Sequence, residues 1–221
     1  TMPIAVDVAV TREVARSIGR CELTFVDRQR IDYTRAAGQH QQYCDRLAAL
    51  DVDVIRLPAD EAHPDCCFIE DTAVVLDEVA IVTTLGAPAR RGETPAVERE
   101  LRKHRPIERI QLPATLDGGD VLVVGRTIFV GVTTRTNAAG IDALVQITRR
   151  HGYDVVALNV PGCLHLKSAV TALDDDLLIA NRGLVELGPV GRRFKIVDVD
   201  AREPGAANVL RVRDEVWAHP G

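Results

Sequence analysis

No stretch of this sequence reaches the roughly 18 apolar residues that a membrane-crossing helix needs. The N-terminus also lacks the basic-then-apolar pattern of a signal peptide. Basic residues are not in excess: 27 Lys and Arg stand against 32 Asp and Glu, a net charge of −5. That balance argues against a nucleic-acid-binding or anionic-membrane surface. Zinc-finger spacing is missing too, because the five cysteines (Cys21, Cys44, Cys66, Cys67 and Cys163) form no C-x-x-C pair. Their number is odd, and Cys66 and Cys67 are adjacent. They therefore read as reduced thiols rather than a disulfide framework. These absences predict a cytosolic protein with no nucleic-acid partner and no membrane. What is present is an ordinary globular composition, 46% hydrophobic and 27% charged over 221 residues, enough for one large domain or two small ones. Thr1 ahead of Met2 reads as a residue left from cloning.

The most informative stretch is Leu116-Asp117-Gly118-Gly119-Asp120-Val121-Leu122. Two glycines sit between two carboxylates, and an apolar run follows at once. Such a turn lets the backbone approach a ligand closely and fixes an acid at the mouth of a strand. A second stretch, Gly162-Cys163-Leu164-His165-Leu166-Lys167-Ser168, carries the best-placed histidine. An acid and a histidine at two strand starts are the beginnings of an acid–base pair. Taken alone, D-G-G-D is a turn in most proteins and a lone histidine is a satisfied strand residue. Cys163, two residues from His165, could chelate a metal with it, but a Cys-x-His pair without further ligands is a weak signal, and no metal or cofactor is expected.

The two stretches hold equivalent places in an internal repeat of roughly 45–50 residues. Hairpin patterns run over residues 70–83, 119–131 and 166–180, and a fourth begins at 208. Asp71, Asp120 and Lys167 share one register in this alignment. Helices are predicted over residues 36–50, 95–104 and 138–151, with strands over 53–57, 107–112 and 154–160. Residues 183–193 contain Gly188, Pro189 and Gly191 and read as a short or broken turn, followed by a strand over 196–199. Residues 4–10 are predicted as the first strand of an opening hairpin. The unit is thus helix, strand, hairpin, an α/β design in which a radial array must close on itself to remove exposed edges. By that logic the final module lacks a helix and a strand.

Seven motifs now carry a resemblance. They are Leu57-Pro58-Ala59-Asp60-Glu61, Pro64-Asp65-Cys66, Phe68-Ile69-Glu70-Asp71, Gly86-Ala87-Pro88-Ala89-Arg90-Arg91, residues 115–122, Val130-Gly131 with Arg135-Thr136-Asn137, and Leu164-His165-Leu166-Lys167-Ser168. In this order they span nearly the whole chain. The sequence resembles the dimethylarginine dimethylaminohydrolases of the guanidine-modifying (pentein) superfamily, which includes arginine deiminase and the amidinotransferases. The resemblance implies a single domain over residues 1–221, a five-bladed, pseudo-symmetric α/β propeller, its last module incomplete here, with the active site in the central channel. It implies hydrolysis of N-methylated L-arginines to citrulline and a methylamine through a cysteine thiouronium intermediate. The family's nucleophile is a cysteine near the C-terminus. None of the five cysteines here occupies that place, so the nucleophile is expected beyond Gly221.

Carried over residue by residue, the resemblance makes His165 the acid–base group and Asp117 its catalytic partner, in contact with the guanidinium. Glu70 and Asp71 would accept hydrogen bonds from the guanidinium nitrogens. Neighbouring strand residues face opposite sides, so both reach one ligand only where the strand is irregular. Asp65 would bind the substrate α-ammonium, Arg90 and Arg135 would clamp its α-carboxylate, Leu23 would touch it through its backbone, and Phe68 would wall the pocket. Arg91 competes with Arg90 for its place. The expected partner is a small-molecule substrate, with room for a homodimer. Two alternatives stay open: an arginine deiminase-like hydrolase acting on the unmethylated substrate, though such chains are usually longer, and a methylarginine-binding chain inactive because it is truncated.

Overall fold

The computed structural model describes residues 7–188 and 190–218. Thirteen strands among them form five small sheets in chain order. The first pairs β1 (Val8–Arg12) in parallel with β2 (Asp53–Leu57). The second holds β3 (Ala73–Val75), β4 (Ala80–Val82) and β5 (Ile107–Arg109); the third β6 (Val121–Val124), β7 (Thr127–Val132) and β8 (Asp154–Asn159). The fourth holds β9 (Val170–Ala172), β10 (Leu177–Ala180) and β11 (Lys195–Asp198), and the fifth is the hairpin β12 (Val209–Val212) with β13 (Glu215–Ala218).

The three middle sheets share one plan. A hairpin leads, and its second strand pairs in parallel with a third strand that arrives after a helical segment. Helix α1 (Tyr33–Ala49) links β1 to β2, α2 (Thr94–Leu101) links β4 to β5, and α3 (Ala138–Arg149) links β7 to β8. Local chemistry sets where these helices begin. The Asp32 carboxylate accepts from the Arg35 amide at 3.1 Å, Asn137 Oδ1 accepts from the Gly140 amide at 2.8 Å, and Pro95 lies in the first turn of α2. Asn137 also donates to Pro113 O and accepts from the Thr115 amide, which ties the entry of α3 to the segment leading into the D-G-G-D turn.

The core sits between successive sheets. One apolar cluster joins the second and third through Val74, Ile81, Leu116, Val121, Ile128 and Leu144. Another joins the third and fourth through Leu122, Phe129, Leu158, Leu166, Val170 and Leu178. A buried side chain of this size contributes about 1.5–3 kcal/mol on leaving water, so neighbouring modules hold each other in place.

Several expectations change. Residues 70–72 and 119–120, read as strand starts, lie in 3₁₀ turns (Ile69–Thr72 and Gly118–Asp120), and Leu166–Ala169 is a one-turn helix before β9. Asp71, Asp120 and Lys167 stand two, one and three residues ahead of their strands. The opening strand begins at Val8 and pairs in parallel with β2, so no opening hairpin forms with it among the described residues; residues 4–6 lie outside them. Strand β5 ends at Arg109 and α2 at Leu101, each shorter than expected. The expected turn over 183–193 contains a short helix, Val190–Arg193. Among the described residues, strand pairing does not close the five sheets into one ring.

Candidate active site

The three one-turn segments that lead into β3, β6 and β9 meet, and the acidic side chains in two of them are handed forward. Asp71 Oδ1 accepts from the Gly119 amide of the next turn at 2.9 Å. Asp120 Oδ1 accepts from the Leu166 amide of the turn after that at 3.0 Å. A tight turn exposes amide groups that a strand would spend on its ladder. That is why these residues coil once before extending. The stitching brings His165, the residue before Leu166–Ala169, against the D-G-G-D backbone.

Gly119 makes this approach possible. A Cβ there would sit 2.7 Å from Asp71 Oδ1 and 2.9 Å from two carbons of the His165 ring. Donor atoms of Asp71, Asp117 and His165 all lie within 4.8 Å of one another, a spacing that suits a bound cation. His165 Nε2 faces Asp71 Oδ1 at 3.6 Å. Asp117 accepts from the Gly86 amide at 2.8 Å through Oδ1, while its buried Oδ2 has no partner.

Arg90 anchors one side. Its Nη1 donates to Asp71 Oδ2 at 2.7 Å, and Nε and Nη2 donate to the two oxygens of Glu93 at 3.0 and 2.9 Å. Burial pushes the Glu93 carboxyl up, but the two parallel bonds from Arg90 are those of a carboxylate. Burial would likewise lower Arg90, yet Glu93 and Asp71 outweigh it and hold the guanidinium charged.

The acids of the cluster differ. Burial alone would raise Asp71, but His165 and Arg90 bring it below the ordinary carboxylate range. Asp117 has no arginine partner; burial and the charge of Asp71 push it up to about 6. Burial would lower His165, but Asp120, Asp71 and Asp117 outweigh it and raise it.

The other expected residues fall into two groups. Arg135 is buried; its Nη2 donates to Thr24 Oγ1 at 3.1 Å, and its buried Nη1 is free of partners. Asp65 is buried and accepts from the Glu22 amide through both oxygens, at 3.1 and 3.0 Å, beside half-buried Leu23. Arg91 donates to Leu85 O, while Arg90 already has its fork filled. Glu70 does not join Asp71 in the buried cluster: its side chain is 64% exposed and takes a 2.6 Å bond from Lys167. The turn is irregular as required, but it rotates the two neighbours apart. Phe68 is 52% exposed, and its carbonyl, not its ring, meets Arg90. Cys163 donates to His165 O at 3.2 Å, and burial raises its pKa, so it offers no thiolate beside the histidine. Sequence reasoning passed over Glu93 and Asp120. The second aspartate of D-G-G-D was the available signal for Asp120.

Residues 61–215 match the arginine deiminase family. The chain is similar to an N(G),N(G)-dimethylarginine dimethylaminohydrolase of Pseudomonas aeruginosa, 35% identical over 84% of this chain and 73% of the relative. It is also similar to one of Streptomyces coelicolor, 39% identical over 91% of this chain and 78% of the relative. Among solved structures, it superposes on a cysteine-to-serine mutant of the Pseudomonas enzyme complexed with citrulline, with a TM-score of 0.92 and 33% identity, covering 100% of this chain and 86% of that one. A histidine-to-glycine variant of a dimethylarginine dimethylaminohydrolase, as an adduct with S-methyl-L-thiocitrulline, gives a TM-score of 0.92 at 32% identity over 98% and 85% of the two chains. The fold is therefore the α/β, propeller-like pentein fold.

Proposed function

The chain belongs to the dimethylarginine dimethylaminohydrolases of the arginine deiminase family, and on that premise we propose that it hydrolyses N-methylated L-arginines to L-citrulline and a methylamine. One observation carries the reading: two carboxylates and a histidine converge within 4.8 Å of one another, and one carboxylate oxygen there has no partner.

In this reading the substrate guanidinium takes the place between Asp71 and Asp117. Asp117 Oδ2 gains the donor it lacks, and the cation reverses the upward push on its carboxyl. Arg135 Nη1 accounts for the α-carboxylate, and Asp65, beside Leu23, for the α-ammonium. Arg90 acts behind Asp71 rather than on the substrate. A thiolate attacks the guanidinium carbon and the C–N bond to the methylated nitrogen breaks. His165 gives its proton to the departing amine. The remaining thiouronium is attacked by water, whose proton returns to His165, and citrulline leaves as the C–S bond breaks.

The nucleophile this reading needs is a cysteine thiolate. Burial raises the thiols of Cys21, Cys66 and Cys163 above their ordinary value and pushes Cys67 up to about 12, the opposite of an activated nucleophile. No helix in the described residues is long and apolar enough to cross a membrane, and a cytoplasmic location goes with the reduced thiols.

The test offers dimethylarginine, monomethylarginine and arginine in parallel, reading citrulline and heat of binding. The protein is expected to bind the methylated arginines saturably and to release citrulline from them. Citrulline from arginine alone would make it an arginine deiminase. Absence of binding to all three would overturn the reading.

A further inference from the structure

Asp120 is a fully enclosed acid near the site, and neither substrate binding nor proton transfer as read above uses it. It is 0% exposed. Its Oδ2 accepts from the hydroxyls of Thr133 at 2.7 Å and Thr136 at 2.6 Å. Its Oδ1 accepts from the Leu166 amide at 3.0 Å and faces His165 Nδ1 at 3.5 Å. Among the described residues, His165 is its one ionic partner. The complementary need lies on the histidine: Nδ1 is buried and has no hydrogen bond of normal length.

The surrounding backbone is shaped to keep the two groups together. A Cβ on Gly131 would lie 3.2 Å from Asp120 Oδ1 and 3.0 Å from Leu166 Cβ. Gly119 gives the ring its room on the other side. The two threonine hydroxyls saturate Oδ2, so the remaining acceptor capacity of this buried carboxylate points at Nδ1. A buried carboxylate without a cation nearby gains most from a donor that becomes charged.

We propose that Asp120 is a positioning residue that holds neutral His165 with its proton on Nδ1, leaving Nε2 as the atom that exchanges protons in the reaction. The role rests on the hydrolase reading above. Two carboxylates compete for the ring. Asp71 Oδ1 faces Nε2 at 3.6 Å, but Asp71 already carries Arg90 and the Gly119 amide. Asp117 also lies within 4.8 Å. Asp120 has no such commitments to a cation and does not face the substrate place. Holding Nδ1–H therefore frees Nε2 to give a proton to the departing amine and to take one back from water, with Asp71 and Asp117 beside it to stabilise the imidazolium.

The test needs no turnover. The chain is labelled with ¹⁵N-histidine, and the ring nitrogens are followed by two-bond ¹H–¹⁵N correlation at a pH where His165 is neutral. His165→Gln assigns its signals among the six histidines. A protonated-type Nδ1 shift with a bare-type Nε2 shift is expected; the reverse pattern in the parent protein overturns the proposal. Asp120→Asn, checked for folding by its other amide signals, is expected to lose the tautomer preference and to lower the pH at which His165 titrates. An unchanged tautomer and titration in a folded Asp120→Asn also overturn it. If the variant does not fold, the parent spectrum still decides. The expected tautomer in a protein that binds no methylarginine would sink the hydrolase reading and leave the positioning intact.

Discussion

Asp71 and Asp117 stand in one cluster and share a neighbour in His165, yet their surroundings drive them in opposite directions. Asp71 is held below the ordinary carboxylate range by His165 and Arg90 against its burial. Asp117, fully buried and with no hydrogen bond from an arginine, is pushed up to about 6 by burial and the charge of Asp71. The lesson is that burial alone does not set the charge of an acid; the permanent partner does. The site uses both outcomes. Asp71 is a fixed anion made by the protein, and Asp117 is an unsettled one that a substrate cation would complete.

The largest effect expected from breaking this contrast is at Arg90. Arg90→Met leaves Asp71 and Glu93 buried without their cation. Removing one partner of a buried ion pair costs roughly 3–5 kcal/mol. Urea denaturation near neutral pH should show a loss of that order, and the two acids should be raised toward protonation. A loss under about 1 kcal/mol would mean that Arg90 is not what separates Asp71 from Asp117.

Asp117→Asn gives the next effect, and its sign depends on pH. A carboxyl raised from an ordinary 3.8 to about 6 binds its proton more tightly folded than unfolded. The stability it supplies is therefore complete below about pH 4 and lost as pH rises through about 6. The Asn variant keeps the Gly86 bond and sheds the buried charge. It should match the parent near pH 4 and exceed it near pH 8, by at most ~3 kcal/mol for a shift of about two units. Affinity for dimethylarginine, measured by calorimetry at pH 8, should fall roughly tenfold or more. In the parent, that affinity should weaken as pH falls through about 6, because Asp117 takes up its proton. A parent affinity flat from pH 8 to 5 would remove Asp117 from the cation site.

How far the sequence could be read follows the same division between local and long-range partners. The hairpins of the middle modules, α1, α3 and the strand Asp53–Leu57 rest on periodicity and caps that lie close together in the chain. The turns Ile69–Thr72, Gly118–Asp120 and Leu166–Ala169 were read as strand because apolar runs begin there. Two of them are coiled to meet carboxylates about 48 and 46 residues away, which no local pattern records. His165, Asp117 and Asp71 were legible through motifs, and the structure brings them together. Glu70 comes from the same motif, but the 3₁₀ turn sends adjacent side chains to different faces and leaves Glu70 exposed. Glu93 sits just ahead of α2, where an acid ordinarily reads as a favourable helix-start charge in solvent. Only the fold shows that Arg90 encloses it.

The smallest effect tests the rule by holding the turn constant. Glu70 neighbours Asp71 in Ile69–Thr72 and is also paired with a cation, Lys167, at 2.6 Å. The difference is water: Glu70 is 64% exposed, whereas the Asp71 side chain is 9% exposed. An ion pair open to solvent contributes about 0–1 kcal/mol and weakens with salt. A double-mutant cycle of Lys167→Ala and Glu70→Gln should therefore return a coupling below about 1 kcal/mol, reduced further in about 0.5 M salt. The Arg90 side chain should matter several times more than Lys167, although both hold carboxylates of one turn at nearly equal distance. A coupling above about 2 kcal/mol for the exposed pair would show that the position in the turn, rather than enclosure from water, decides what these charges contribute.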